Sequence, residues 1–279
     1  MSVILFASCS NASDNSKAER AETVEASAPQ VSQQPTQSPQ PSPVEQESSP
    51  EAWKVRVVEE RGHDPEAFTQ GLEFNDGRLY ESRGRNGKSG VSEIDPLDGS
   101  VLRWMPLAEE YFGEGVTVVG DSIIQLTWLA GKAFIYDLES FDVIGSYDYD
   151  GQGWGLCFDG VALIMSDGSS SLTMRDPETF SVIDSVTVRL DGSAVASLNE
   201  LECVDGKVYA NIWQTDTIVE INPITGAVTA VIDASGLLDD ADRAGADVLN
   251  GIAYDEATGA FLLTGKLWPS MFLVVFEPA

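Results

Sequence analysis

The chain has 279 residues, 43% of them hydrophobic, and carries 16 basic against 45 acidic side chains for a formal charge of −29. That length and apolar content supply a core for one large domain or two small ones. A surface so acidic repels phosphate backbones and excludes nucleic acid as a partner, and a single histidine, His63, excludes a zinc site built on several imidazoles.

In chain order, "VILFASCS" at 3–10 is a short apolar run followed by small residues and Cys9, with no Lys or Arg before it. Residues 1–9 resemble the end of a bacterial lipoprotein signal, whose cysteine becomes acylated. Residues 10–52 are dominated by Ser, Gln, Pro, Ala and Glu and hold too little apolar surface to offset their ordering entropy, so they read as a disordered tether. Residues 1–52 carry seven acidic and two basic side chains, which leaves −24 on the remainder. The expected location is therefore export to a bacterial cell envelope, with a lipid-tethered, monomeric folded domain at 53–279.

From Trp53 onward the reading is all-β. "WKVRVVEE" (53–60) is a lone strand. Five later segments then share one pattern: "QGLEF" (70–74), "EGVTV" (114–118), "WGLCF" (154–158), "NELEC" (199–203) and "NGIAY" (250–254). Their spacing of 40 to 51 residues is that of a four-stranded propeller blade. Each is followed by a turn and a second apolar run, then by a third run ending in Asp, Asn or Glu, as in "VSEIDPLDG" and "IVEINPITG". Short runs rich in Val, Ile and Tyr between Gly, Asp and Pro turns are β-meanders. The last repeat lacks an outer strand, which the strand at 53–60 can supply. The expected fold is a five-bladed β-propeller closed by its N-terminal strand.

In such a ring the equivalent residues of the repeats converge at one channel mouth. The first set is Gln70, Glu114, Trp154, Asn199 and Asn250; the second, at the end of the next strand, is Arg83, Trp128, Asp167, Trp213 and Lys266. An acid, amides, a lysine and three tryptophans at one mouth make a binding site, and the glycines after the first set are expected to let a ligand approach the backbone. His63, in the turn-like "RGHDPEAF", reads as a loop residue. Cys157 and Cys203 read as buried free thiols, a disulfide between them being the alternative.

At these residues the chain resembles the plant-type glutaminyl-peptide cyclotransferases. The motifs "FTQGLEF", "FGEG", "QLTW", "GWGL", "SDGS", "LNELE", "NIWQTD", "DVLNGIAY" and "TGKLWP" occur in order from about Phe68 to Phe272. The resemblance implies a five-bladed propeller that converts the N-terminal glutamine of peptides or proteins to pyroglutamate and releases ammonia, with no metal or cofactor. It places the catalytic acid on Glu114 and the pocket on Phe68, Gln70, Phe112, Trp128, Trp154, Asn199, Trp213 and Lys266. The chain departs from the family pattern in "ESRGRNGKSGVSEID", where Arg83 and Gly90 replace Thr and Ser and an aromatic is missing near Asn86. This rim loop bears on peptide preference.

The residue types suit that chemistry. The α-amine attacks the γ-carboxamide of its own residue, so proximity is built in and the enzyme must fix the rotamer. One carboxyl group, Glu114, can take the amine proton and return it to the departing nitrogen. Lys266, with the amide of Gln70 or Asn199, can stabilise the oxyanion, and the indoles of Trp128, Trp154 and Trp213 exclude water that would give glutamate. Two other readings stand beside this one. A calcium-dependent, lactonase-like propeller hydrolase would use Glu114, Asn199 and Asn250 as ligands; a non-catalytic propeller would bind partners at the same mouth.

Overall fold

The structure, a computed structural model, describes residues 49–279. The signal-like segment with Cys9 and almost all of the 10–52 tether lie outside the described residues.

The described chain is almost wholly strand; its one helical element is a single 3-10 turn at Asp242–Ala244. The first strand, β1 (Glu51–Gly62), begins two residues ahead of the expected boundary. Strands β2 (Thr69–Asn75), β3 (Arg78–Arg83), β4 (Gly90–Ile94) and β5 (Val101–Pro106) form one antiparallel sheet. A second holds β6 (Gly113–Val119), β7 (Ser122–Thr127), β8 (Lys132–Asp137) and β9 (Val143–Asp148). A third holds β10 (Leu156–Phe158), β11 (Leu163–Ser166), β12 (Ser171–Arg175) and β13 (Val182–Thr187). A small ribbon, β14 (Arg189–Leu190) with β15 (Ser193–Ala194), precedes β16 (Leu198–Val204), β17 (Lys207–Ile212), β18 (Thr217–Ile221) and β19 (Val228–Asp233). The chain ends with β20 (Leu249–Asp255), β21 (Ala260–Gly265) and β22 (Ser270–Pro278).

These last strands and β1 share an eight-stranded sheet in the order β16-β17-β18-β19-β1-β22-β21-β20. Within it β1 pairs antiparallel with β22 along Trp53–Gly62, and its first four residues, Glu51–Lys54, run parallel to Ala230–Asp233 of β19. The N-terminal strand thus covers the outer strands of both flanking meanders and removes two edges at once. The first strands of the repeats touch in a closed cycle: β2 against β6, β6 against β10, β10 against β16, β16 against β20, and β20 back against β2. The arrangement of the sheets is propeller-like.

Burial explains the strand order. β2, β6 and β16 are buried along both faces over most of their length, whereas β5 and β9 alternate exposed and half-buried residues. The core is layered between the faces of successive sheets. Tyr80 and Val91 of one pack with Val116, Ile123 and Tyr136 of the next, and Leu126 and Ala133 pack with Leu156 and Met165 beyond. The turns after the third strands repeat as well. Asp95, Asp137, Asp176 and Asn222 each accept a backbone N–H two or three residues on, the short-range bond that makes Asx residues turn formers.

Two expectations are corrected here, and the loop position of His63 gains a detail. The glycines after the first set serve the fold: a Cβ on Gly115 would meet Leu156 N at 2.6 Å, and one on Gly155 would collide with the Asn199 carbonyl. Adjacent inner strands, not a ligand, need that closeness. Cys157 on β10 and Cys203 on β16 form a disulfide rather than two free thiols, because the ring brings these strands side by side. His63 lies in a loop but is buried: its Nδ1 faces the Trp268 carbonyl at 2.9 Å and its Nε2 faces Glu81 Oε1 at 3.0 Å. Burial opposes protonation, yet Glu81 holds the imidazole above its usual value, and burial of Glu81 is outweighed so that its carboxyl falls to about 2. The pair ties the loop after Lys266 to the first sheet.

Candidate active site

The functional side chains stand where strands end. Gln70, Glu114 and Asn199 are the second residues of β2, β6 and β16, and Trp154 lies two residues before β10. Trp128, Trp213 and Lys266 each directly follow the second strand of their meander. Together with Phe68 and Phe112, all of these line one cavity of about 350 Å³, within the size range of small-molecule sites. Gln214, Asp247 and Val248 complete its wall.

Backbone bonds between sheets fix the constellation. Ser82 Oγ donates to the Glu114 carbonyl and receives Gln125 Nε2 at 2.7 Å, whose Oε1 in turn accepts from Tyr136. Ser166 Oγ makes the corresponding bond to the Asn199 carbonyl at 2.7 Å, and Gly115 N donates to the Trp154 carbonyl at 2.7 Å. Lys266 N donates to Val248 O, Asp247 N donates to Lys266 O, and Trp268 Nε1 donates to Asp247 O.

The aromatic groups form a nearly continuous wall. Phe112 meets Phe68 and Trp128 edge-on, with centroids 6.1 and 5.7 Å apart, and Trp154 meets Trp213 at 5.5 Å and 87°. Gln152 links the two halves: its Oε1 accepts from both the Trp128 and Trp154 indoles, at 2.7 and 3.0 Å. The sequence reading missed Gln152, Gln214 and Asp247. Asp247 opens the "DVLNGIAY" motif and Gln214 sits inside "NIWQTD", so both had a signal; Gln152 sits in a loop outside every quoted motif.

Glu114 is 4% exposed and accepts one protein hydrogen bond, from Gln70 Nε2 at 3.0 Å. Burial drives its carboxyl well above the ordinary range, and the Lys266 ammonium offsets this only in part. Burial lowers Lys266 in turn, against the pull of Glu114 and Asp247. Lys266 Nζ stands 5.2 Å from the Phe68 ring centroid. Asn199, 2% exposed, has a side-chain oxygen with no protein partner. An orphaned buried acceptor in a cavity wall is a group awaiting a donor.

Three members of the converging sets do not face this cavity. Asn250 turns beneath Gln70, donating to the Thr69 carbonyl at 3.0 Å. Arg83 is held by Glu81 and Asp64 at 2.8 and 2.7 Å and lines a neighbouring hollow. Asp167 caps its own turn by accepting from Ser169 N. Asn250 thus stands outside the lining of the cavity that Glu114 and Asn199 share. Among the described residues no group of three or more His, Cys, Asp or Glu is placed to hold a metal ion.

A closed cycle of meanders around an acid–ammonium cavity walled with indoles defines an all-β, propeller-like protein with a polar, aromatic-lined cavity at one end of its inner strands. The family model described as glutamine cyclotransferase matches residues 26–276. The chain is 42% identical over 233 residues to an Arabidopsis thaliana protein described as glutaminyl-peptide cyclotransferase, an overlap of 81% of this chain and 72% of that one. It is similar in structure to Myxococcus xanthus glutaminyl cyclase, with a TM-score of 0.76 and 35% identity over 83% of this chain and all of the other. The chain belongs to the glutamine cyclotransferase family.

Proposed function

We propose that the chain is a glutaminyl-peptide cyclotransferase, converting N-terminal glutamine to pyroglutamate with release of ammonia, and that Glu114 is its general acid and base. The observation that carries the assignment of Glu114 is its burial beside Lys266 in the aromatic cavity. A carboxyl group raised above its ordinary range by burial is suited to both halves of a proton relay.

The geometry supports the following sequence of steps. Asn199 Oδ1 accepts an N–H of the substrate α-amine, and the aromatic wall packs against the glutamine side chain. The amine lone pair attacks the γ-carbonyl carbon; the new N–C bond forms while the carbonyl π pair moves to oxygen, and Glu114 accepts the amine proton. The Lys266 ammonium stabilises the oxyanion. One N–H of Gln70 Nε2 orients Glu114, and the second is left to join Lys266 at the oxyanion. Collapse re-forms the carbonyl and breaks the bond to the amide nitrogen, which leaves as ammonia with the proton from Glu114. Removal of one oxyanion donor typically costs about 2.7–4 kcal/mol.

The ring is five-bladed on this reading, each blade headed by one of β2, β6, β10, β16 and β20, with β1 as outer strand of the last. The cyclic contacts of these strands support that count. Export to a cell envelope, with acylation at Cys9, is part of the same proposal. The Cys157–Cys203 disulfide favours an oxidising compartment, and among the described residues no helix is long and apolar enough to cross a membrane.

The test is ammonia release from Gln-Ala peptides by the purified chain, with and without chelator, and mass analysis of the product. Chelator-insensitive release with a pyroglutamyl product is expected. Chelator-sensitive lactone hydrolysis without ammonia would instead favour the hydrolase reading, and no turnover of any glutaminyl peptide the binding module.

A further inference from the structure

A second hollow, of about 300 Å³, adjoins the Glu114 cavity, and the Phe68 ring lines both. Its lining includes Arg83, Arg85, Lys88, Asp64, Glu66 and Trp104. In a domain that carries −24, three cations gathered beside the reacting centre need a reason.

Their pairing is uneven. Both acids of the hollow are engaged, Asp64 with Arg83 Nη1 at 2.7 Å and Glu66 with Lys88 at 3.7 Å. Arg83 Nη2, though buried, has no acceptor. Arg85 has no carboxylate partner among the described residues; its guanidinium carbon lies 4.5 Å from the Phe68 ring centroid. The Arg85 guanidinium thus lines the hollow with no carboxylate to take its N–H groups, while Arg83 adds positive charge beside it.

The loop is preformed. Arg85 is held at a φ of 79°, a backbone region that non-glycine residues rarely adopt. Its carbonyl accepts from Lys88 N and Ser89 Oγ, both at 2.9 Å, and Ser89 Oγ accepts from Gly113 N at 3.0 Å. The loop is therefore fastened to the residue next to Glu114.

We propose that this hollow is the subsite for the substrate segment after the N-terminal glutamine, and that it selects a carboxylate side chain at the second or third position. The proposal rests on the cyclisation reading for what enters the first cavity. An extended peptide advances about 3.3–3.6 Å per residue, so once its first residue is held at Glu114 its second or third comes level with the far side of Phe68. Guanidinium forks match carboxylates in shape and charge.

The experiment compares kcat/KM for peptides Gln-Asp-Ala and Gln-Ala-Asp with their all-Ala and Lys counterparts, in the full chain and in Arg85→Gln and Arg85→Glu. The neutral peptide is the internal reference in each protein. Wild type should favour acidic over neutral peptides about three- to tenfold, a cleft ion pair being of that size. The preference should shrink in 0.5 M salt at a Debye length of about 4 Å, flatten in Arg85→Gln and invert in Arg85→Glu. A flat wild-type profile, or an acidic preference that survives both substitutions, overturns the subsite. Quenching of the cavity tryptophans by pyroglutamyl-Ala-Asp against pyroglutamyl-Ala-Lys judges it without turnover. If no glutaminyl peptide releases ammonia the cyclisation reading fails, yet acid-selective binding lost in Arg85→Gln still upholds the subsite, and equal binding overturns it.

Discussion

Burial raises the carboxyl of Glu114 while the buried Lys266 ammonium keeps it within reach of ionisation, so each residue is poised by the other. The acid limb of the kcat profile should therefore fall at a pH above the ordinary carboxylate range, since deprotonated Glu114 is needed to accept the amine proton. Steady-state kinetics between pH 4 and 9 would show it, and a limb near the usual value of about 4.3 would contradict it. Lys266→Met should lower kcat about 10²–10³-fold with a smaller change in KM, because its charge is used once the oxyanion forms. At this scale the sequence was most legible: seven of the ten positions read as converging from repeat to repeat line one cavity, joined by Phe68 and Phe112, which the family resemblance supplied, while Asn250, Arg83 and Asp167 face elsewhere. Gln152 was not legible. Its bridge between two indoles depends on a loop conformation that no periodicity encodes.

Between elements the inner strands carry two features that no local pattern announces. The Cys157–Cys203 bond links β10 to β16 across 46 residues. Replacing both cysteines by Ala should lower the unfolding free energy by about 2–4 kcal/mol, measured by urea titration of the oxidised protein against the variant. Away from the Glu114 cavity, the buried Glu200 and Glu202 and the half-buried Glu73 approach one another. Glu73 accepts from Val118 N, Glu200 from Ile252 N and Glu202 from Tyr254 N, at 2.9, 2.8 and 2.9 Å. Burial raises all three, Glu73 to about 7, and mutual repulsion adds to the rise in Glu200 and Glu202. A folded-state value above the unfolded one means that the native state binds more protons, so these groups cost stability above it and the cost disappears as pH falls toward the ordinary value. Glu202→Gln keeps an acceptor for Tyr254 N. It should raise Tm at pH 8 relative to wild type, with the gap closing near pH 5; calorimetry at the two pH values would show a constant gap if the cluster were not repulsive. Such pairings join residues far apart in sequence, and that is why the free-thiol reading and the ligand-approach role of the glycines failed here. What looked like space for a substrate was space for the next strand.

For the whole molecule, closure by the N-terminal strand was readable because the last repeat had no outer strand of its own. The parallel ladder that β1 also makes with β19 was not readable, since four residues of pairing leave no pattern in the sequence. Deleting residues 49–62 should expose the edges of β19 and β22 and abolish cooperative unfolding, whereas deleting residues 1–48 should leave kcat/KM for a free peptide unchanged; circular dichroism and the ammonia assay on the two truncations separate these outcomes. All of this geometry serves one small enclosed volume, and the most direct test of what happens inside is a single substitution. Coupled ammonia release from Gln-Ala-Ala by Glu114→Gln, with thermal unfolding confirming an intact fold, should fall at least about 10²–10⁴-fold below wild type in kcat. A folded Glu114→Gln protein that cyclises the peptide at the wild-type rate would contradict the assignment of the proton relay to this carboxylate.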